Sequence, residues 1–174
     1  MNIETKSLLL TTGIGLLFAS APTGAALVEV TNSAIAPARC QAFTPGTTNT
    51  IRNRVAGAEN IGAELALACS FENIGTIDGG YSVAVGVRLV NNSSQSMTIS
   101  CTNLQGFFGA VGSTITKSAT LAAGAGQRLT FSAADTPSTT DSDLGSFFSG
   151  VNCTMPTNAV MTQTDLTWED DFAG

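Results

Sequence analysis

The sequence predicts an all-β protein: a single antiparallel β-sandwich of about eight strands, jelly-roll-like, held by two disulfides and preceded by a signal peptide. Three observations carry that expectation. Apolar residues recur at period two along most of the chain after residue 26. Gly-, Asn-, Asp- and Pro-containing clusters separate these runs at short intervals, as turns do. All four cysteines, Cys40, Cys69, Cys101 and Cys153, lie in the same part of the chain, and their number is even.

Residues 1–26 have the pattern of an export signal. Lys6 supplies a weakly basic start, which Glu4 offsets slightly. An apolar run from Leu8 to Ala21 follows, interrupted by Gly13 and Gly15 and broken by Pro22 and Gly24. The small residues Gly24-Ala25-Ala26 then suit a signal peptidase, with cleavage after Ala26 or one residue earlier. The run is shorter than the ~20 residues that span a bilayer, so a membrane anchor is the weaker reading. No cysteine stands at the cleavage site to take a lipid. Residues 27–174 are expected to form the single β-sandwich domain, secreted or periplasmic.

Along that part the strands read in order. Leu27 to Thr31 is a candidate first strand. Phe43 to Gly62, with Pro45-Gly46, Arg52 and Arg54, reads as a long loop. Leu65, Leu67, Cys69 and Phe71 share one face of the next run. A helix around Ala56 to Leu67 is the alternative there, although Gly57 and Gly62 would each cost it about 1 kcal/mol. Asp78-Gly79-Gly80 precedes a strand with Tyr81, Val83, Val85, Val87 and Leu89 on one side, and Asn91-Asn92-Ser93-Ser94 closes it. Met97, Ile99 and Cys101 alternate with threonines and serine. Ile115, Lys117 and Leu121 face away from a Thr116-Ser118-Thr120 row. Gly124-Ala125-Gly126 leads into Leu129 and Phe131. Ala133 to Gly145 reads as a second polar loop. Val151, Cys153 and Met155 alternate, Pro156-Thr157-Asn158 turns, and Val160 to Trp168 closes the series with Leu166 and Trp168 opposite Asp165 and Thr167.

The cysteines fit export. Four of them permit three pairings; Cys40–Cys69 and Cys101–Cys153 join neighbours in sequence and are preferred. A zinc site would need close cysteine pairs or histidine, and the chain has neither. Charged residues make up only 11% of the chain, and the formal charge is −6. Removing residues 1–26 takes away one Lys and one Glu and leaves it at −6. An acidic chain without a basic run disfavours nucleic acid and anionic lipid as partners.

No constellation of catalytic residues stands out, and no cofactor is expected. The chain has no histidine, which excludes Ser-His-Asp and Cys-His arrangements. Lys117 is the one lysine after residue 26 and has no serine in a recognisable dyad motif. Asp165, Glu169, Asp170 and Asp171 read as a solvated acidic tail rather than as a glycosidase pair. Asp135, Asp141 and Asp143 resemble part of a calcium loop but lack its bidentate Glu, so a solvated loop is the better reading. Gly106 to Thr114 has the glycines of a phosphate loop without its lysine and reads as a turn in which Phe107 and Phe108 pack. Phe147-Phe148 must place one ring outward if it lies in a strand. Asn91-Asn92-Ser93 and Asn152-Cys153-Thr154 fit the glycosylation sequon, which carries no meaning in a bacterial protein.

Cys40-Gln41, the Asn60-Ile61-Gly62 turn, the strand ending in Cys69, Val83-x-Val85-x-Val87, Asn92-x-Ser94, Cys101-Thr102 and Cys153-Thr154-x-Pro156 together resemble a loose group of small secreted two-disulfide β-sandwich proteins of proteobacteria. The resemblance spans most of the chain after residue 26. It implies the sandwich and the Cys40–Cys69, Cys101–Cys153 pairing, and it implies no activity. The long arginine-bearing stretch Phe43–Gly62 departs from it. The function expected from all of this is a non-enzymatic exported protein with a surface or binding role. A self-assembling pilin- or coat-like subunit is the alternative, although Leu27 to Ile35 is short for a donor arm. A carbohydrate-binding module is the third reading, weakened by having one Trp and one Tyr.

Overall fold

The structure, a computed structural model, describes residues 27–43, 50–72, 82–107, 110–135 and 148–171. The expected signal peptide therefore lies outside the described residues. The described chain is all β, in two sheets with two disulfides, and it has eleven strands where the periodicity suggests about eight. They are β1 Leu27–Ile35, β2 Cys40–Ala42, β3 Ile51–Arg54, β4 Gly57–Asn60, β5 Leu65–Glu72, β6 Ser82–Asn91, β7 Met97–Phe107, β8 Ala110–Leu121, β9 Gly126–Ser132, β10 Phe148–Met155 and β11 Ala159–Asp171.

Sheet A has the order β3-β4-β11-β6-β9, with β1 also paired to β11, and sheet B has the order β2-β5-β10-β7-β8. Every pairing is antiparallel. From β4 onward the chain alternates between the sheets, except that β7 and β8 form a hairpin within sheet B. The three strands beyond the expected eight are β2, β3 and β4, all before Leu65. β1 runs to Ile35, past the expected Thr31, and a 3-10 turn over Ala36–Ala38 carries the chain from sheet A to β2 in sheet B. β3 then forms a hairpin with β4.

That hairpin corrects two readings. Phe43–Gly62 is not a single loop, and Ala56 to Leu67 forms no helix. Gly57 has φ 146°, outside helical space and closed to L side chains. A Cβ there would also run into the Met161 carbonyl, so only glycine lets β4 lie this close to β11. Ala58 is fully buried against the core, and Asn60 is fixed by tertiary hydrogen bonds. These contacts come from β10 and β11, a hundred residues away, and they override the alanine-rich local preference.

The sheets face each other across one apolar core. Val85, Val87, Leu89, Phe131, Met161 and Leu166 point in from sheet A; Leu67, Phe71, Ile99, Val151 and Met155 point in from sheet B; each is at most 2% exposed. Burial of each such side chain is worth about 1.5–3 kcal/mol. On β11 the inward series runs Ala159, Met161 and then Thr164, Leu166, Trp168, changing from odd to even numbers. The change is caused by a bulge: Met161 faces Leu89 and Gln163 faces Arg88, so Thr162 is an extra residue without a partner on β6.

Both disulfides lie in sheet B and join residues directly opposite each other on adjacent strands. Cys40–Cys69 clips β2 to β5, and Cys101–Cys153 clips β7 to β10. The Sγ atoms of Cys40 and Cys69 lie 3.6 and 3.3 Å from the Met161 Sδ on sheet A. These are packing contacts, since bridged sulfurs have no proton to donate.

Candidate functional site

Buried polar groups divide into those that hold the sheets together and those that shape a surface. Asn60 on sheet A donates to the Met155 and Ala63 carbonyls, both at 2.8 Å, and accepts from the Gly62 N–H. Asn91, also on sheet A, donates to the carbonyls of Leu121 and Ala122 at 3.0 Å and Gln95 at 2.7 Å, and accepts from the Ser93 N–H at 2.8 Å. Each amide thus ties a sheet A strand to the end of a sheet B strand. Both asparagines are fully buried, so Asn91 offers nothing to a glycosyltransferase.

Lys117 plays a similar part at the side where β8 and β9 meet. It lies on the inward face of β8, as the alternation predicts. Its Nζ contacts Asp135 at 2.7 Å, donates to the Thr130 carbonyl at 2.7 Å and lies over the Phe131 ring. Among the described residues its partners are thus a carboxylate, a carbonyl and a ring. Partial burial pushes the Asp135 carboxyl up, but the Lys117 ammonium and the Ser132 N–H and hydroxyl together outweigh it and hold the pKa below its usual 3.8. A depressed pKa stabilises the fold above the ordinary value, and that stabilisation is lost as pH falls through the folded value. In acid unfolding followed by fluorescence, the stability difference between the wild type and Asp135→Asn should be constant above pH 3.8 and shrink below it. A difference that grows toward low pH would contradict the assignment. Asp141 and Asp143, the other acids of the candidate calcium loop, lie outside the described residues.

The two outer faces differ sharply. On sheet B, Thr98 meets Thr120, Ser100 meets Ser118 and Thr102 meets Thr116 in hydroxyl pairs of 2.9–3.1 Å. Gln41, Ala66, Ala68, Ser70, Asn152 and Thr154 continue that face, which carries no charge among the side chains described. The hydroxyls satisfy one another.

The outer face of sheet A carries the charges. Arg52, Arg54, Arg88 and Arg128 are there, four of the six basic residues after residue 26. Asp165 is not part of a solvated tail: it lies on β11 with its side chain 4% exposed, 3.1 Å from the Arg128 guanidinium, and accepts from the Gln163 amide at 2.7 Å. Arg128 reaches it by lying flat over Gly86 of the intervening strand, where any Cβ would meet the guanidinium. Glu59, equally buried, accepts from Asn92 at 2.8 Å, and the Arg54 Nη2 lies 2.7 Å from its other oxygen, off the line of a hydrogen bond. Glu169, Asp170 and Asp171 pair with β1 through their backbones. Asp165 and Glu59 are thus each buried beside an arginine.

A groove opens on this face, around the β11 bulge. It has a volume of about 550 Å³ and is lined by Ser33, Ala34 and Ile35 of β1, Arg88 and Val90 of β6, and Thr162 and Gln163 of β11. The bulge causes it. β1 pairs with β11 only as far as Gln163, β4 pairs with it only at Val160 and Met161, and Thr162 sits between the two. Thr162 turns its hydroxyl to the Arg88 carbonyl at 3.3 Å. Ile35 stands 50% exposed on the rim. Arg88 lies directly opposite Arg128 in the β6–β9 register, and Asp165 is already taken by Arg128. Among the described residues Arg88 has no acidic partner.

Sequence reasoning singled out none of the groove's residues for a role. Thr162 and Gln163 sit where the alternation changes phase, and that irregularity was the available signal. The described residues contain no group of three His, Cys, Asp or Glu able to hold a metal and no helix long and apolar enough to cross a membrane. No protein family, curated protein or solved structure matches this chain.

Proposed function

We propose that the protein is an exported, non-enzymatic binding protein: a jelly-roll β-sandwich, following a signal peptide over residues 1–26, that uses the outer face of sheet A to hold a ligand. The groove at the β11 bulge carries this reading, because it combines an open recess of about 550 Å³ with an arginine that has no acidic partner among the described residues. The order β4-β11-β6-β9 facing β5-β10-β7-β8 supports a jelly roll with β1, β2 and β3 added. Two disulfides support an oxidising compartment, periplasmic or extracellular. The resemblance to small secreted two-disulfide proteins of proteobacteria agrees with it.

The other readings find less support. β1 fills the edge of its own sheet along β11, which is the slot that a donated strand from another copy would need. A sugar platform wants exposed aromatics, and Trp168 points into the core.

Intact-mass analysis of the protein recovered from the host's envelope or medium tests the export claim. The expected product starts at Leu27, or one residue earlier, with all four cysteines oxidised. A broad hydrolase screen tests the non-enzymatic claim. A reproducible activity lost in Asp165→Asn or Glu59→Gln variants that remain folded would overturn it.

A further inference from the structure

We infer that the groove at the β11 bulge takes the free C-terminal carboxylate of an extended, apolar-ended peptide; this rests on the binding-protein reading above. The charge comes first. Arg88 and Arg128 face each other across β6 and β9, a repulsive arrangement unless each has an anion. Arg128 has Asp165, buried beneath it. Arg88 has none among the described residues, in a chain whose formal charge is −6. Its neighbour on β11 is Gln163, a neutral side chain that donates to Asp165 and brings no negative charge to Arg88. A guanidinium presents a planar fork that matches a carboxylate.

The walls choose among carboxylates. Ala34, Ile35 and Val90 make one side apolar, next to the hydroxyls of Ser33 and Thr162. Ile35, at 50% exposed, is one of the few large apolar side chains the described fold leaves out in water. An anion flanked by an aliphatic side chain matches this arrangement. No aromatic ring lines the groove to stack on a uronic acid. The recess is open along the sheet and does not enclose the long tail of a fatty acid. A short extended peptide crossing β11 at the bulge can set its carboxylate on Arg88 and its terminal side chain against Ile35 and Val90.

The test uses the disulfide-bonded protein, isotopically labelled, with acetyl-Ala-Val-Leu as the free acid and as the C-terminal amide. Amide shifts are followed by NMR, and the spectrum itself reports whether each variant is folded. The free acid should shift the signals of Ser33–Ile35, Arg88 and Thr162–Gln163, and the amide should bind about tenfold or more weakly. Arg88→Gln should reduce the acid to the level of the amide, whereas Arg52→Gln, an equal charge change on β3, should not. Equal binding of acid and amide at the groove would overturn the carboxylate assignment while leaving a binding groove in place. Equal losses from Arg88→Gln and Arg52→Gln would reduce the effect to general charge and overturn it too. If neither peptide shifts the groove residues, the peptide assignment fails, and the binding-protein reading is then judged by the hydrolase screen.

Discussion

Replacing both Cys101 and Cys153 with alanine should lower the stability of the domain by about 2–5 kcal/mol, a large share of a typical ~5–15 kcal/mol total. The two residues are at most 1% exposed and face each other in the interior of sheet B, where β10 has a neighbour on either side. Their loss opens a loop of 52 positions in the unfolded chain and removes sulfur from a packed layer beside Ile99, Val151 and Met155. Removing Cys40–Cys69 should cost less. The loop is shorter, at 29 positions, but by chain entropy that difference is worth only about 0.5 kcal/mol. The larger difference is position: Cys40 is half-buried on β2, a three-residue strand at the sheet edge, and the released chain can fray without unpairing its neighbours. Urea unfolding of the two double-alanine variants, each against wild type, ranks the bridges. Equal or greater loss from the edge bridge would contradict this ranking.

Asn91→Ala should have the other large effect, about 3 kcal/mol or more, because unmade buried hydrogen bonds cost about 1–3 kcal/mol each. The substitution strands the carbonyls of Leu121 and Ala122 and the Ser93 N–H at once, and it separates the β6–β7 turn from the end of β8. Asn91→Asp tests the mechanism with little change in volume, since it keeps the acceptor for Ser93 and loses the donors. Thermal unfolding should place it near Asn91→Ala. A cost below about 1 kcal/mol for either variant would mean that water replaces the amide, and the stitching role would fall.

Much of the fold was legible because it is local in origin. Val85, Val87 and Leu89, or Cys101 with Ile99, announce their inward face by spacing alone, and Lys117 was placed on the core side of β8 in the same way. What stayed hidden depends on residues far apart in the chain. Asp165 reads as part of an acidic tail until Arg128 crosses over Gly86 to cover it. The β3–β4 hairpin reads as loop or helix because its stabilising partners, Met155 and Met161, come late in the sequence. Arg88 is an ordinary solvent-facing strand residue by pattern. Its interest comes only from the register, which sets it against Arg128 and beside a recess that no single segment encodes.

The bulge at Thr162 has a consequence for how this chain can change in length. The single extra residue acts as a frame correction on β11: it lets an odd-numbered Met161 and an even-numbered Leu166 reach the same core. Deleting Thr162 would restore strict alternation with Met161, Thr164 and Leu166 still facing the core and Asp165 still facing Arg128, because Thr162 alone has no partner on β6. Inserting one residue between Gln163 and Thr164 would, with everything before it in place, turn Asp165 inward and Leu166 outward. Loops elsewhere tolerate gain or loss of residues, and the bulge can lose its one extra residue, but beyond Gln163 β11 is paired on both sides, to β1 and to β6, and its length there can change only in steps of two.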